Sequence, residues 1–561
     1  MRVTSCLKLL ATAFIGLSFF EHTPAVELLP TFVDITAQAG ITFRHTFGDR
    51  HMSNIVEATG SGVALLDYNN DGFLDIYFVN GCYLPGVSEE CSGNCPEKSA
   101  RNALYRNNGD GAFTDVTEEA GVADTGGYGM AALAADFDND GWTDLYITNY
   151  GRNTLYRNNR DGTFRDVTTA AGVGDTLWSV GATALDFDND GFLDIYVGNY
   201  LDFDPAYRLY YAADEFPGPL SYPGLPDRLY RNRGDGTFVD VTSRVGVKNN
   251  GRAMGVLAAD YDDDGWPDIY VANDAGANFL YRNDRGLRFL DRALQAGVAF
   301  SESGSETSSM GASFGDYDND GDFDILVPDM RYKSLYSNLG NGRFRDVTFS
   351  SKIAVISGQY VTWGGTFFDY DHDGWLDVYF ANGDAHTLGY SQEDCLLRNV
   401  PGRNGERVFE DMWKGSGAFF RTKANSRGMA VGDIDNDGDL DIVVVNIDRA
   451  STLLRNDQPA GTPNHWLMIT LKGTRSNRDG IGAKVTVRTG SFVQVRQRMA
   501  GDNYLSTNDP RLHFGLGRND RIDEITVRWP GGVTQRVVPT GVDRVITITE
   551  PTGVPRSGRG R

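Results

Sequence analysis

A nine-residue pattern with a glycine at its sixth position recurs seven times along the chain, and this repetition constrains the fold more than anything else in it. DYNNDGFLD begins at Asp67, DFDNDGWTD at Asp136, DFDNDGFLD at Asp186 and DYDDDGWPD at Asp260. DYDNDGDFD begins at Asp316, DYDHDGWLD at Asp369 and DIDNDGDLD at Asp433. Each copy runs into an alternating segment such as DIYFVN, DLYITN or DIVVVN. Period-two patterning in Ile, Val and Tyr specifies β-strand. A second signature is interleaved with the first: LYRNNGDGAFTDVT from Leu104, with further copies from Leu155, Leu229, Leu280 and Leu335, and a looser one from Leu396. Two apolar runs around an Asn/Asp/Gly turn read as a hairpin. One unit is therefore four strands, repeated at the spacing of a β-propeller blade. The ends of the array are complementary halves. TLLRND, Thr452 to Asp457, supplies only the first hairpin strand, and TFVDITAQAGI, from Thr31, only the second. The expected fold is all-β: a seven-bladed β-propeller whose termini close the seventh blade, followed by a small β-sandwich-like domain.

Within each loop, positions 1, 3, 5 and 9 carry carboxylates in all copies but one. They are Asp67, Asn69, Asp71 and Asp75; Asp136, Asp138, Asp140 and Asp144; Asp186, Asp188, Asp190 and Asp194; and Asp260, Asp262, Asp264 and Asp268. The remaining loops supply Asp316, Asp318, Asp320 and Asp324; Asp369, Asp371, Asp373 and Asp377; and Asp433, Asp435, Asp437 and Asp441. Alternate carboxylates around a glycine turn form an oxygen cage for a hard cation, and the lack of His or Cys at these positions favours Ca2+ over transition metals. An EF-hand requires a glutamate at position 12 and a following helix. Position 12 here is Phe78, Ile147, Val197, Val271, Val327, Phe380 or Val444, all strand residues. A catalytic pair needs two carboxylates in different environments, and near-identical copies do not provide that. The competing reading is a set of solvated acidic turns. The expectation is up to seven structural Ca2+ ions, with the first site weakened because Asn69 carries no charge.

The 76 acidic and 52 basic residues give a net charge of −24, which argues against nucleic-acid binding. Arg2 and Lys8, the apolar run Leu9 to Phe20 and Thr23-Pro24-Ala25 read as a signal peptide over residues 1–25. No later segment looks membrane-spanning, so no membrane insertion is expected. The chain is expected to be secreted and extracellular, or periplasmic in a Gram-negative bacterium. Beyond the signal, Cys82, Cys91, Cys95 and Cys395 allow three disulfide pairings, among which sequence does not choose.

The loops and their flanking strands resemble the FG-GAP (VCBS-type) repeats of the integrin α-subunit propeller, over roughly residues 28–457. That resemblance implies calcium in loops on one face. After a linker at residues 458–463, residues 464–549 carry short strands with 13 basic and 7 acidic side chains. NHWLMITLKGTRSNRDGIGAKV, GDNYLSTNDPRLHFGLG and ITVRWPGG resemble the ASPIC/UnbV domain, with residues 550–561 as a disordered tail. The whole is similar to the cartilage acidic protein family, which implies secretion, calcium and extracellular binding but no general reaction. The basic charge of this domain suits docking onto the acidic propeller or capture of a polyanion.

Strand parity places the long inserts Gly81 to Ala103, Tyr200 to Arg228 and Gly383 to Leu396 on the face opposite the aspartate loops. Variable loops on a rigid ring are the usual recognition surface. The ligand-contact candidates there are Tyr207, Tyr210, Tyr211 and His386. One functional reading is a secreted binding or adhesion protein for an extracellular protein or glycan. The other is an extracellular lyase or cyclase at the top of the channel, with His45, His51 or His386 available for acid–base work. No residue is assigned as catalytic.

Overall fold

The computed structural model describes residues 29–552 except 49–51, 89–99, 125, 208–215, 249, 414, 448 and 539–540. The signal-like segment, His51, Cys91, Cys95, Tyr210, Tyr211 and most of the expected tail lie outside the described residues.

Seven four-stranded antiparallel sheets, one extended by a short fifth strand, make up residues 31–457. The second of them shows how the repeat folds. Gly127–Ala135 runs into the aspartate loop and Asp144–Gly151 leaves it. Thr154–Asn158 and Phe164–Asp166 then form the hairpin. Ala135 pairs with Asp144, Leu145 with Tyr156, and Tyr156 with Asp166. The nine-residue motif is thus the turn between the first two strands of each sheet.

The first strands of successive sheets contact one another around a ring, and the last of them, Ser426–Gly432, contacts the first, Val63–Leu66. These strands are small-residue segments such as SVGATAL and AMGVLAA because they converge on a narrow axis. A Cβ on Gly255 would stand 2.7 Å from the backbone of Gly311, just before the first strand of the next sheet. Larger residues on the following strands fill the wedges between sheets; Tyr77 and Leu104 pack with Leu145 and Tyr156 in one such cluster. The architecture is a β-propeller. Its last sheet is assembled from both ends of the array: Thr31–Asp34 pairs antiparallel with Thr452–Asp457, Thr31 opposite Asp457 and Asp34 opposite Leu454.

The C-terminal domain is two sheets around one core. His465–Lys472 lies between Leu512–Gly517, antiparallel, and Arg544–Thr549, parallel. The second sheet runs Phe492–Gln497, Lys484–Thr489, Glu524–Arg528, Thr534–Val537. Trp529, Val485 and Phe514 are buried between them. This domain sits on the aspartate-loop side, and its 501–510 segment enters the propeller channel. Thr507 donates to the Val63 carbonyl at 2.9 Å and accepts from Leu65 N–H at 3.0 Å, while the Leu505 carbonyl accepts from Ala132 N–H at 3.2 Å. Tyr504 is fully buried against Trp363, with ring centroids 5.5 Å apart.

The domain's positive charge is directed at the ring. Arg528 pairs with Asp260 and Asp263 at 2.7 and 2.6 Å, and Lys484 pairs with Asp263 at 2.6 Å. Arg511 donates to the Asp433 carbonyl at 2.6 Å. Of the two uses for this charge, docking onto the acidic propeller is the one these contacts display.

Ring closure rests on a short strand anchored by one aromatic ring. Phe32 is 2% exposed and packs on Phe420 and Tyr370 at 5.8 and 6.2 Å. Phe32→Ala is expected to destabilise the chain by about 3–5 kcal/mol in equilibrium denaturation. A loss below about 1 kcal/mol would show that the seam does not bear on global stability.

Candidate metal centre

Each loop is wound around its first aspartate. In the second loop, Asp136 accepts Asp140 N–H at 3.0 Å and Gly141 N–H at 2.7 Å, and Asp140 accepts Trp142 N–H at 2.9 Å. The turn requires left-handed backbone at position 4 and at the glycine, with φ of 59° at Asn139 and 89° at Gly141. Asparagine and glycine adopt that conformation at least cost. In the first loop Asp67 accepts Asp71 and Gly72 N–H in the same way.

The ninth residue roots the loop. One oxygen of Asp144 accepts Phe137 N–H at 3.2 Å and the other accepts Asn158 N–H, from the hairpin, at 2.8 Å. The same pair of bonds holds Asp75, Asp194, Asp268, Asp324, Asp377 and Asp441. All seven are buried.

Carboxylate oxygens converge in these loops. Those of Asp136, Asp138 and Asp144 lie within 4.8 Å of one another, as do those of Asp186, Asp188 and Asp194, and of Asp260, Asp262 and Asp268. Asp316, Asp318 and Asp320, and Asp369, Asp371 and Asp377, form equivalent groups. Arginines from the hairpins take the outer oxygens: Arg231 binds Asp188 and Asp190, both at 2.7 Å, and Arg282 binds Asp262 and Asp264 at 2.5 and 2.6 Å. Inner oxygens are left over. Asp188 Oδ1, Asp260 Oδ1, Asp262 Oδ1, Asp318 Oδ1 and Asp369 Oδ1 are buried and accept no hydrogen bond among the described residues. Burial pushes the pKa of Asp75 up to about 8 and that of Asp186 to about 7, and like charges add to it. Burial and the nearby Asp479 carboxylate push Asp136 up to about 8. Asp144, Asp194 and Asp268 are held well above the usual carboxylate range. Convergent, desolvated, oxygen-only donors fit a hard divalent cation, whose charge would offset both causes. In the first loop, Asn69 turns its amide onto Asp71 at 2.8 Å, so one cage oxygen is already engaged by a donor.

Two sets of functional residues escaped the sequence reading. The first is the asparagine of each hairpin signature. Its side chain donates to the eighth-position carbonyl of its own loop and to the second-position carbonyl of the preceding loop. Asn158 reaches Thr143 and Tyr68 at 3.1 and 2.8 Å, and Asn283 reaches Pro267 and Phe187 at 3.0 and 2.8 Å. Asn107 reaches Ile434 at 2.9 Å and so joins the first sheet to the last. The signal was present: this Asn persists in all seven copies, on a strand that is otherwise buried, even where LYRN becomes LYSN. The second set is the fourth loop position, whose amide binds the glycine carbonyl of the following loop. Asn70 bonds Gly141, Asn139 bonds Gly191, Asn319 bonds Gly374 and Asn436 bonds Gly72. His372 Nε2 makes the equivalent contact to Gly438 at 3.2 Å. Asp263 has no amide, and here the basic C-terminal side chains Lys484 and Arg528 engage the loop instead.

On the opposite face, Tyr207 packs against Tyr222 at 5.5 Å and His386 lies 5.7 Å from Phe216. The long insert is therefore partly self-packed. His45 is buried, and burial lowers its pKa to about 3, so it is a neutral core imidazole. Cys82 and Cys395 are not joined to each other. No helix among the described residues is long and apolar enough to cross a membrane.

A ring of strand pairs joined by aspartate-cage loops, with a β domain docked beneath, defines a class of repeat propeller. The FG-GAP-like repeat family matches residues 92–147, 136–197, 221–271 and 260–327, and the ASPIC and UnbV family matches residues 473–555. The chain therefore carries FG-GAP-like repeats in its ring and an ASPIC and UnbV domain at its C-terminal end. It is 28% identical to cartilage acidic protein 1 of Mus musculus over 339 residues, 58% of this chain and 49% of that one. It is likewise 28% identical to cartilage acidic protein 1 of Homo sapiens, over 58% of this chain and 48% of that one. The chain spans about half the length of the curated relatives it matches. The solved structure of YCF48 bound to D1 peptide is similar at a TM-score of 0.40 and 9% identity, covering 78% of this chain and 99% of that one.

Asn283→Ala leaves the Phe187 and Pro267 carbonyls without their donor. It is expected to cost about 1–3 kcal/mol in denaturant titration. Arg288→Ala, which removes an exposed i,i+4 pair, is expected to cost less than about 1 kcal/mol. Equal effects would refute the role given to the asparagine.

Proposed function

We propose that the protein is a calcium-stabilised extracellular binding protein, with Ca2+ held in the aspartate loops as part of the fold. The observation that carries this reading is the recurring cage of converging carboxylates with buried oxygens that no donor among the described residues satisfies. Positions 1, 3, 5 and 9 of each loop would hold the ion, and the first loop would hold it least well because of Asn69. The C-terminal domain covers much of the loop side, so recognition falls to the opposite face, where the long inserts emerge. An extracellular protein or a glycan suits that face, and the similarity to cartilage acidic protein 1 supports an extracellular setting.

Sites with dissociation constants of about 10⁻⁴ to 10⁻³ M would each add roughly 0.4–1.4 kcal/mol at about 1 mM calcium. Summed over the ring, chelation is expected to lower the melting temperature by on the order of 10 °C. Differential scanning calorimetry with calcium, with chelator, and with calcium restored measures this. An identical transition in all three would sink the structural-calcium reading.

A further inference from the structure

On the face opposite the aspartate loops, the propeller channel opens into a cavity of about 240 Å³. Met254, Met310, Met330 and Trp363 supply apolar wall, and the insert residues Phe216 and Leu220 cover one side. Thr59, Tyr200, Ser221, Ser308 and His386 add polar atoms to this lining, and Asp274 is its carboxylate. Asp274, near the end of the strand Asp268–Gly276, is 4% exposed, and its Oδ2 accepts the Tyr200 hydroxyl at 2.5 Å. Its Oδ1 is buried and accepts no hydrogen bond among the described residues. Burial raises the pKa of this carboxyl, and the Tyr200 and Ser308 hydroxyls beside it act in the opposite direction. Arg252, whose charge also acts on Asp274, spends hydrogen bonds on the Ala275 and Tyr222 carbonyls.

A packing void would be dry and apolar throughout, since a buried acceptor without a donor costs about 1–3 kcal/mol. The cavity size then limits the occupant. An apolar cavity of about 150 Å³ accepts benzene, whereas drug-sized sites begin near 300 Å³. There is room for one ring and a short polar arm, but not for an extended chain. The wall is also held in place from behind. Trp363 donates to the Gly383 carbonyl at 2.8 Å, lies under the Arg427 guanidinium at 4.1 Å, and is backed by Tyr504 of the C-terminal domain. Methionines supply the adaptable part of the wall.

We propose that this cavity binds a single aromatic or cyclic apolar group carrying a hydrogen-bond donor, with Asp274 Oδ1 as its acceptor and the Met–Trp wall as its seat. The donor is an ammonium or a hydroxyl, on a free small molecule or at the tip of a larger ligand. This rests on the reading that the insert-bearing face is the recognition face.

The test uses the full chain in calcium, with 2-phenylethylamine, 2-phenylethanol and ethylbenzene as probes in ligand-observed NMR titrations. At least one donor-bearing probe is expected to bind tenfold or more tightly than ethylbenzene. Which of the two does so identifies the head group. Asp274→Leu is expected to erase that preference, and Met310→Trp, which fills the cavity, to abolish binding of all three. Equal binding of ethylbenzene, or an intact preference in Asp274→Leu, overturns the role of Asp274. No binding of any probe overturns the site. If Asp274→Leu fails to fold, the three-probe comparison on the unaltered chain and the Met310→Trp result decide. Melting with and without chelator is run alongside. A lost calcium shift in the unaltered chain counts against the structural-calcium reading alone, and a failed titration with that shift intact counts against the cavity alone.

Discussion

The structure depends on burying a carboxylate at the root of every loop. A desolvated carboxylate is expensive unless hydrogen bonds to its charged form compensate. Each ninth-position aspartate receives two backbone N–H donors, one from its own loop and one from the hairpin. That geometry couples three of the four strands in a sheet to one side chain. The loop cannot relax without breaking the hairpin contact, and the hairpin cannot slip in register without exposing the aspartate. Hydrophobic wedges between sheets supply the gross burial energy, but they are non-directional. The aspartates fix which strand ends meet.

The second constraint runs around the ring rather than within a sheet. The hairpin asparagine satisfies carbonyls of two adjacent loops, and the fourth loop position reaches the following loop. Blade-to-blade order is thus encoded by side-chain amides on the loop face, above a core of interchangeable apolar residues. The bond from Asn107 to Ile434 and the pairing of Thr31–Asp34 with Thr452–Asp457 apply the same logic at the seam. Where the amide is absent, at Asp263, the C-terminal domain supplies Lys484 and Arg528. That domain is accordingly part of how the ring is held, and not an appendage on a linker.

Much of this was legible in the sequence. The period of the aspartate motif, the alternation of the strands after it and the complementary half-hairpins at residues 31 and 452 each specify local geometry directly. The convergence of the loop carboxylates was legible for the same reason, since alternation and a glycine turn bring them together by short-range rules. The amide links are not legible there, because their partners lie 71 to 96 residues away in cases such as Asn70 to Gly141 and Asn283 to Phe187. An asparagine in a strand is explained just as well by turn chemistry until its neighbour in space is known. The channel-filling role of GDNYLSTNDP was hidden similarly. Its Asn, Asp and Gly read as an ordinary turn, while the contact that matters is Tyr504 against Trp363, two residues from different domains.

That contact connects the two faces of the molecule. The 501–510 segment is held on the loop side by pairing of Thr507 with the first inner strand, and at its tip Tyr504 supports the tryptophan that walls the opposite cavity. Tyr504 is thus a ring through which the docked C-terminal domain touches Trp363. Tyr504 itself is fully buried at the centre of the channel. The residue that plugs the channel from one side thus packs, through Trp363, behind the wall of the cavity on the other.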